Sequence, residues 1–509
     1  NVGVDYGTTL YALAESPLNK DVLWAGSNDG LVHVTRDGGK TWKMVSNHIS
    51  KLPLLGTVTS IVASRYEAGT AYLTIDFHQV NNRDPYVYKT DNFGKSWKKI
   101  VAGIPKSMFS YAQIIREDPE RKGMLYLGTE NAIYFSLNDG KNWMPLRNNL
   151  PPAPVRWLAV QREFGDLVLS TYGRGFWILD DLSPLCQMSD SVLAFGFHLF
   201  KPRPVYRFRR NGGYSESGLG KYYQDPPEGA AINYYIKKMP ASEVKISILD
   251  ANQKLVNSFT GSKHAGINRV YWNLRYPDSP EVKLRTLPLG HPGLAYGPQS
   301  IQYNKDGWRE LIVEGTGPDG PMAVPGTYTV QIEVDGKQYT QTLEVSKDPK
   351  SSATLEDIHE QINLALQIQK KVTDLVKMTN SIEWIRKQID DLQEFMKANK
   401  TADDLIEAGK NLDQRFIDLE QKLIVLRTTG ASENGLRFPQ QLFSHLKMLG
   451  YYVMTGDVQP TRSKYEVFEE LSQRLQHYQK AYNTLVDTNL PEFNKMLSAK
   501  GIMIINAMK

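Results

Sequence analysis

The chain has 509 residues, too many for one hydrophobic core, so roughly two to four domains are expected. An apolar share of 41% and a charged share of 23% are those of a globular protein and exclude a disordered or fibrous chain. The net charge of +5 is spread along the sequence, which excludes the basic stripe of a nucleic-acid binder, and the one basic run, from Lys201 to Arg210, reads as a solvated linker face.

Cys186 is the single cysteine, so no internal disulfide is possible, and no apolar run reaches membrane-spanning length. The opening Asn1-Val-Gly-Val-Asp-Tyr-Gly7 lacks a signal peptide and reads as the middle of a longer polypeptide. The 27 Tyr and 9 Trp suit a β-rich architecture.

Residues 1–181 are organised by a repeat. Thr35-Arg-Asp-Gly-Gly-Lys-Thr-Trp42, Thr90-Asp-Asn-Phe-Gly-Lys-Ser-Trp97 and Ser136-Leu-Asn-Asp-Gly-Lys-Asn-Trp143 share one pattern, with tryptophans 55 and 46 residues apart. That period is close to a four-stranded propeller blade. Each unit is a hairpin turn in which Asp37, Asn92 or Asn138 folds onto backbone amides. Gly39, Gly94 and Gly140 supply the positive φ, and Trp42, Trp97 and Trp143 pack back to lock the turn. With Thr35, Thr90 and Ser136 these are structural residues, and Asp37 is not an active-site acid. A fourth, degenerate unit at 165–181 lacks the motif. About four blades are too few for a closed ring, so an incomplete β-propeller is expected, closed either by a longer parent chain or by another polypeptide.

Residues 182–229 are rich in Pro and Gly and read as a connecting segment. Alternating runs over 230–347, with a hairpin turn at Asp335-Gly336, predict a β-sandwich of immunoglobulin or fibronectin type III character, interrupted by a long insertion at 276–325. An insertion of that length is functional or packed on a neighbour. From 348 to 509 the period becomes helical, with amphipathic runs at 353–397, 403–428, 439–454 and 465–500 predicting a helical bundle.

Glycoside hydrolysis would need two carboxylates flanking the scissile bond on loops facing the funnel. The candidates are Asp76 and His78 in Ile75-Asp-Phe-His78, Asp84, and Glu130 in Gly128-Thr-Glu130, with Arg174 as a substrate clamp. Each has an equally simple structural role: loop carboxylates, a turn residue, and for Arg174 a salt bridge to Asp180 or Asp181. No His-Glu-x-x-His spacing exists, so no metal is expected. Gly212-Gly213 and Gly218-Leu-Gly220 lack the flanking strand and helix of a phosphate loop, and no cofactor is expected.

The Asp-box repeat resembles the BNR-type propellers of the sortilin and vacuolar-sorting-receptor class and of large bacterial BNR-repeat glycosyl hydrolases. Tyr172-Gly-Arg-Gly-Phe-Trp-Ile-Leu-Asp-Asp181, Trp272-Asn-Leu-Arg-Tyr276, Pro325-Gly-Thr-Tyr-Thr-Val330 and Asn434-Gly-Leu-Arg-Phe-Pro439 extend the resemblance to the bacterial group along the chain. The resemblance implies an exported protein of the periplasm, outer-membrane surface or extracellular space. It also implies a preceding propeller-rich half. The cysteine-rich module of animal sortilins and the Arg-Ile-Pro signature of sialidases are missing, and Tyr172 stands where bacterial relatives carry His. The function expected is a non-catalytic binding or scaffold module for a protein or glycan ligand at the propeller face, with a BNR-type glycoside hydrolase as the alternative.

Overall fold

A computed structural model of the chain describes residues 9–209, 227–290, 303–311, 320–398, 403–427 and 437–507. The chain divides into two compact units. The first runs to Pro202 and adds Ile232–Ala241 and Ser262–Arg269; the second holds Arg203–Ala231, Ser242–Gly261 and Val270–Lys509. Among the described residues no helix is long and apolar enough to cross a membrane.

The first unit is a succession of antiparallel meanders. Strands β1 (Leu10–Ser16), β2 (Asn19–Ser27), β3 (Val32–Thr35) and β4 (Lys43–Met44) make one four-stranded sheet. Strands β5 (Thr57–Ala63), β6 (Ala71–Asp76), β7 (Val87–Thr90) and β8 (Lys98–Lys99) make the second, and β9 (Ala112–Glu117), β10 (Leu125–Thr129), β11 (Ile133–Ser136) and β12 (Met144–Pro145) the third. The fourth stops at three strands, β13 (Val155–Gln161), β14 (Asp166–Thr171) and β15 (Phe176–Leu179). First strands adjoin in order, β1 to β5, β5 to β9 and β9 to β13. These are blades of a partial β-propeller.

Its core lies between blades rather than within them. In blade two the cross-strand row Ile61–Leu73–Tyr88 is buried against blade one, and in blade three Ile115–Leu127–Tyr134 is buried against blade two. The equivalent row of blade one is Leu13–Ala25–His33–Met44, and there Leu13 is 64% exposed. At the far end Trp157, Phe176 and Ile178 are exposed on the outer face of blade four. Among the described residues, apolar side chains are thus exposed on the outer rows of both the first and the fourth blade.

The repeat explains the turns in detail. Thr35 Oγ1 donates to Asp37 Oδ1 at 2.7 Å and accepts from the Gly39 amide at 3.0 Å, while Asp37 Oδ1 accepts from the Thr41 amide at 2.9 Å. Thr90, Asn92, Gly94 and Ser96 repeat these three bonds, as do Ser136, Asn138, Gly140 and Asn142, each at 3.0 Å. Asn replaces Asp because only a side-chain acceptor is required. Hydrogen bonds from Thr41, then Thr35, hold Asp37 down to about 2.

The tryptophans do something other than lock their own turns. Trp97 Nε1 donates to the Val45 carbonyl at 3.2 Å and Trp143 Nε1 to the Ile100 carbonyl at 2.9 Å, each in the preceding blade. Trp143 is buried, Trp97 partly so, and Trp42 is 43% exposed.

The segment 182–229 is more regular than its composition suggests. It carries helices α1 (Ser183–Gln187) and α2 (Asp190–Ala194) and strands β16 (Phe197–Leu199) and β17 (Val205–Arg207); residues 210–226 lie outside the described residues. Strands β18 (Ala230–Ile236), β19 (Val244–Leu249), β20 (Leu255–Gly261) and β21 (Gly266–Trp272) follow. The sheet β16–β18–β21 belongs mostly to the first unit.

The second unit holds the sheet β17–β25–β24–β19–β20, with β24 (Gly326–Val334) and β25 (Lys337–Lys347) hinged at Asp335-Gly336. Its helices are α3 (Leu355–Ala398), α4 (Asp403–Leu423), α5 (Leu442–Val453), α6 (Arg462–Thr484) and α7 (Leu490–Ala499), packed around one apolar cluster. The run 465–500 is split by a π-helical turn, Leu485–Asn489, beside Pro491, which has no amide to continue an α-helical ladder.

One reading of this unit changes. The basic run beginning at Lys201 is not a solvated face: Arg207 is fully buried, with Nε on the Ala323 carbonyl at 2.8 Å and Nη1 paired with Asp457, while Arg209 pairs with Asp457 and reaches Gln361 at 3.1 Å. A guanidinium fork satisfied on several sides tolerates such burial, and its carboxylate lies 250 residues away in sequence. The described parts of the insertion, including β22 (Lys283–Leu284) and β23 (Arg309–Glu310), pack on the helices. The Thr286 amide and hydroxyl donate to Glu383 at 2.7 and 2.8 Å, and Val282 and Leu284 join the helical core. The Asn434-Gly-Leu stretch lies outside the described residues.

Candidate functional site

Antiparallel strands alternate in direction, so the turns between second and third strands all emerge at one end of the blades, and the repeat turns at the other. Asp76, His78 and Asp84 in blade two, Glu130 in blade three and Arg174 in blade four all lie in or at the edge of those second turns. Every candidate therefore belongs to the same end, opposite Asp37, Asn92 and Asn138.

Three of the five come together. Asp76 is the last residue of β6, and its buried carboxylate accepts the His78 amide at 2.8 Å and meets His78 Nδ1 at 2.5 Å. Gln113 Nε2, from β9 of the next blade, approaches the same carboxylate at 3.4 Å. The His78 ring stacks on Tyr111, with centroids 5.0 Å apart and planes at 20°. Burial, then the charge of Glu130 and that of Asp76, push the Tyr111 phenol up to about 12, and Arg156 pulls against them. Glu130 is held in turn by Arg156 on β13, 3.1 Å away. The line Asp76–His78–Tyr111–Glu130–Arg156 thus spans blades two, three and four.

The other two stand apart. Asp84 pairs with Lys106 at 2.9 Å, and Arg174 is exposed, its carbonyl accepting from Trp177 Nε1 at 3.0 Å. Asp181 is paired with Arg269 at 3.7 Å and takes the Asn233 amide at 2.8 Å, so it is Arg269 that occupies the role considered for Arg174. Tyr111, Gln113 and Arg156 were not visible in the sequence as site residues, because each sits in an ordinary alternating strand pattern and gains its meaning only from the neighbouring blade.

At the opposite end, between blades two and three, a cleft of about 370 Å³ is lined by Tyr72, Lys89, Glu117, Lys122, Asn138 and Asp139 among others. The Tyr72 hydroxyl donates to Asp139 at 2.7 Å and lies 3.3 Å from Glu117. Burial pushes the Glu117 carboxyl up, against hydrogen bonds from Arg65, Ser64 and Tyr72. Burial pulls Lys89 down, but its pairing with Asp139 and Asp91, both at 2.6 Å, outweighs this and raises it. Across the blade junction Lys89 pairs with Asp139 and Lys122 with Glu67, while Glu117 is held by the Arg65 amide and the Ser64 and Tyr72 hydroxyls, as in a structural polar network.

The class is thus a partial β-propeller followed by a helical region. No protein-family model and no curated protein matches the sequence. Among solved structures the chain is similar to YCF48 from Cyanidioschyzon merolae, at 18% identity over 35% of this chain and 55% of that one, with a TM-score of 0.26. It is also similar to the GH74 enzyme of Niastella koreensis, at 10% identity over 66% and 46% and a TM-score of 0.27. PorZ, a surface component of the type-IX secretion system of Porphyromonas gingivalis, matches at 12% over 66% and 51%, with a TM-score of 0.20. The chain spans about half the length of each of the three.

Proposed function

We propose that the propeller unit is a non-catalytic binding platform for a protein or glycan partner, and that the end carrying Asp76, Tyr111, Glu130 and Arg156 is its ligand face. The observation that carries this reading is that Asp76 and Glu130 are both already engaged, by His78 and Gln113 and by Arg156. To hand a proton to a glycosidic oxygen or attack a sugar, Asp76 would give up its contacts with His78 and Gln113, and Glu130 its pairing with Arg156. Exposed Tyr172 and Arg174 at the same end are residue types that anchor protein interfaces.

On this reading the chain is an exported, Asp-box, sortilin-like protein. Its β-strands over 230–347 form an immunoglobulin-like spacer, and further blades complete the ring. The test is a polysaccharide hydrolysis panel and a glycan and peptide binding array on the whole chain, repeated with Asp76→Asn, Glu130→Gln and Arg156→Ala. Binding that weakens with Arg156→Ala while no reducing ends are released supports the platform. Hydrolysis abolished by Asp76→Asn or Glu130→Gln, with the circular dichroism spectrum unchanged, establishes the glycoside hydrolase instead.

A further inference from the structure

Blade four is the exception among the blades, and the way it departs is specific. In the first three, the repeat turn is followed by a Trp, two residues of fourth strand, and an aliphatic residue: Trp42-Lys-Met-Val45, Trp97-Lys-Lys-Ile100 and Trp143-Met-Pro-Leu146. The amide of that aliphatic residue donates to the first carbonyl of the third strand, Val45 to Val32 at 2.8 Å, Ile100 to Val87 at 2.9 Å and Leu146 to Ile133 at 2.9 Å. Blade four follows the same path up to Leu182, whose amide reaches the Gly165 carbonyl at 2.8 Å just as Gly38 reaches Asp21 at 3.0 Å. Helix α1 then carries the chain away, and the sheet ends at β15.

The register identifies what the open edge offers. Since Val32 gives its carbonyl to the fourth strand, alternation directs the peptide groups of Val32 and Val34 to that side. The counterparts on β15 are Phe176 and Ile178, as the pairs Ser170–Phe176 and Val168–Ile178 match Gly26–Val32 and Trp24–Val34. Their side chains are 80% and 60% exposed. Among the described residues no strand pairs with this edge of β15, and an unpaired strand edge is a template for strand addition.

We infer that β15 is a docking edge for an extended segment of another polypeptide that carries Trp, any two residues, then Val, Ile or Leu. The incoming aliphatic amide bonds the Phe176 carbonyl, and the incoming indole reaches the Leu146 carbonyl, the counterpart of Val45 and Ile100. A second copy of this chain is a poorer occupant, because its five segments of this form, beginning at Trp42, Trp97, Trp143, Trp157 and Trp308, each already contribute to a paired strand. The inference stands on the blade geometry and does not depend on the ligand face.

The probe is a labelled synthetic peptide, Lys-Ser-Trp-Lys-Lys-Ile-Val-Ala, copied from residues 95–102. It is titrated into the full chain by fluorescence anisotropy, with amide hydrogen exchange read over 176–179. Saturable binding is expected, with exchange at Ile178 slowed about tenfold and binding weakened about tenfold or more by N-methylating the peptide's Ile amide, which removes one edge hydrogen bond. Using altered peptides leaves the chain unaltered, so misfolding cannot imitate the result. Absence of binding, equal binding of the N-methylated peptide, or protection elsewhere while 176–179 exchanges freely overturns the inference. Protection of β15 in the concentrated chain alone, with dimers in sedimentation, overturns the choice of occupant in favour of a second copy.

Discussion

Three glycines at one position of the repeat provide an internal experiment on blade packing. Gly39, Gly94 and Gly140 all have positive φ, at 93°, 77° and 74°, so alanine at any of them carries a left-handed strain of about 1–2 kcal/mol. Their surroundings differ. A Cβ on Gly94 would sit 2.7 Å from Val45 Cβ in the preceding blade, and valine is too stiff at χ1 to yield. A Cβ on Gly39 meets only Trp42 Nε1, at 3.9 Å. Overpacking adds about 1–3 kcal/mol at Gly94 and none at Gly39. Gly94→Ala is therefore expected to cost about 2–5 kcal/mol and Gly39→Ala about 1–2 kcal/mol. Gly140→Ala should fall between, since its nearest neighbour, at 2.5 Å, is the mobile Cδ1 of Ile100. Because the chain has two units, a single melting curve mixes them. Native-state hydrogen exchange of the β6 and β10 amides isolates the blades. Equal losses at Gly39 and Gly94 would refute the claim that the repeat turn is a joint between blades.

Further outcomes follow from the buried charges. Arg386→Met leaves Glu383 and Glu420, both fully buried, without the cation that lies 3.3 and 2.8 Å from them, and should cost about 3–5 kcal/mol in urea unfolding of the helices. Burial, then the charge of Asp413, raises Asp390 from 3.8 to about 6. The native state thus binds the extra proton between those values, and helix stability should fall as pH rises through that window. Asp390→Asn should flatten this slope and add about 1 kcal/mol at pH 7, the partly exposed position reducing the full effect. Cys186 is pushed up to about 12 by burial and then by Asp118, so iodoacetamide at pH 8 should label the native chain on the order of a thousandfold more slowly than the unfolded one, by mass spectrometry.

The parts of this molecule that were legible in the sequence are those whose partners lie within one turn of chain. Thr35, Asp37, Gly39 and Thr41 sit within seven residues, and their types alone specify the hydrogen bonds they make. What escaped is set by distance along the chain. Trp97 and Trp143 announce a turn locally but spend their indole N–H groups on carbonyls 52 and 43 residues away. Arg207 looks like part of a solvated basic run until Asp457 is brought to it. The line from His78 to Arg156 exists only because three blades are stacked, and no spacing in the sequence encodes it.

That dependence on neighbours also bears on the first and fourth blades. Repeats that bury their cores between units need terminal units with polar outer faces. Blade one presents Leu13 and Met44 outward and blade four Trp157, Phe176 and Ile178, so neither is built as a cap. The exposed Trp42 has the same indole donor and the same preceding glycine position as Trp97 and Trp143, which use them to grip a blade.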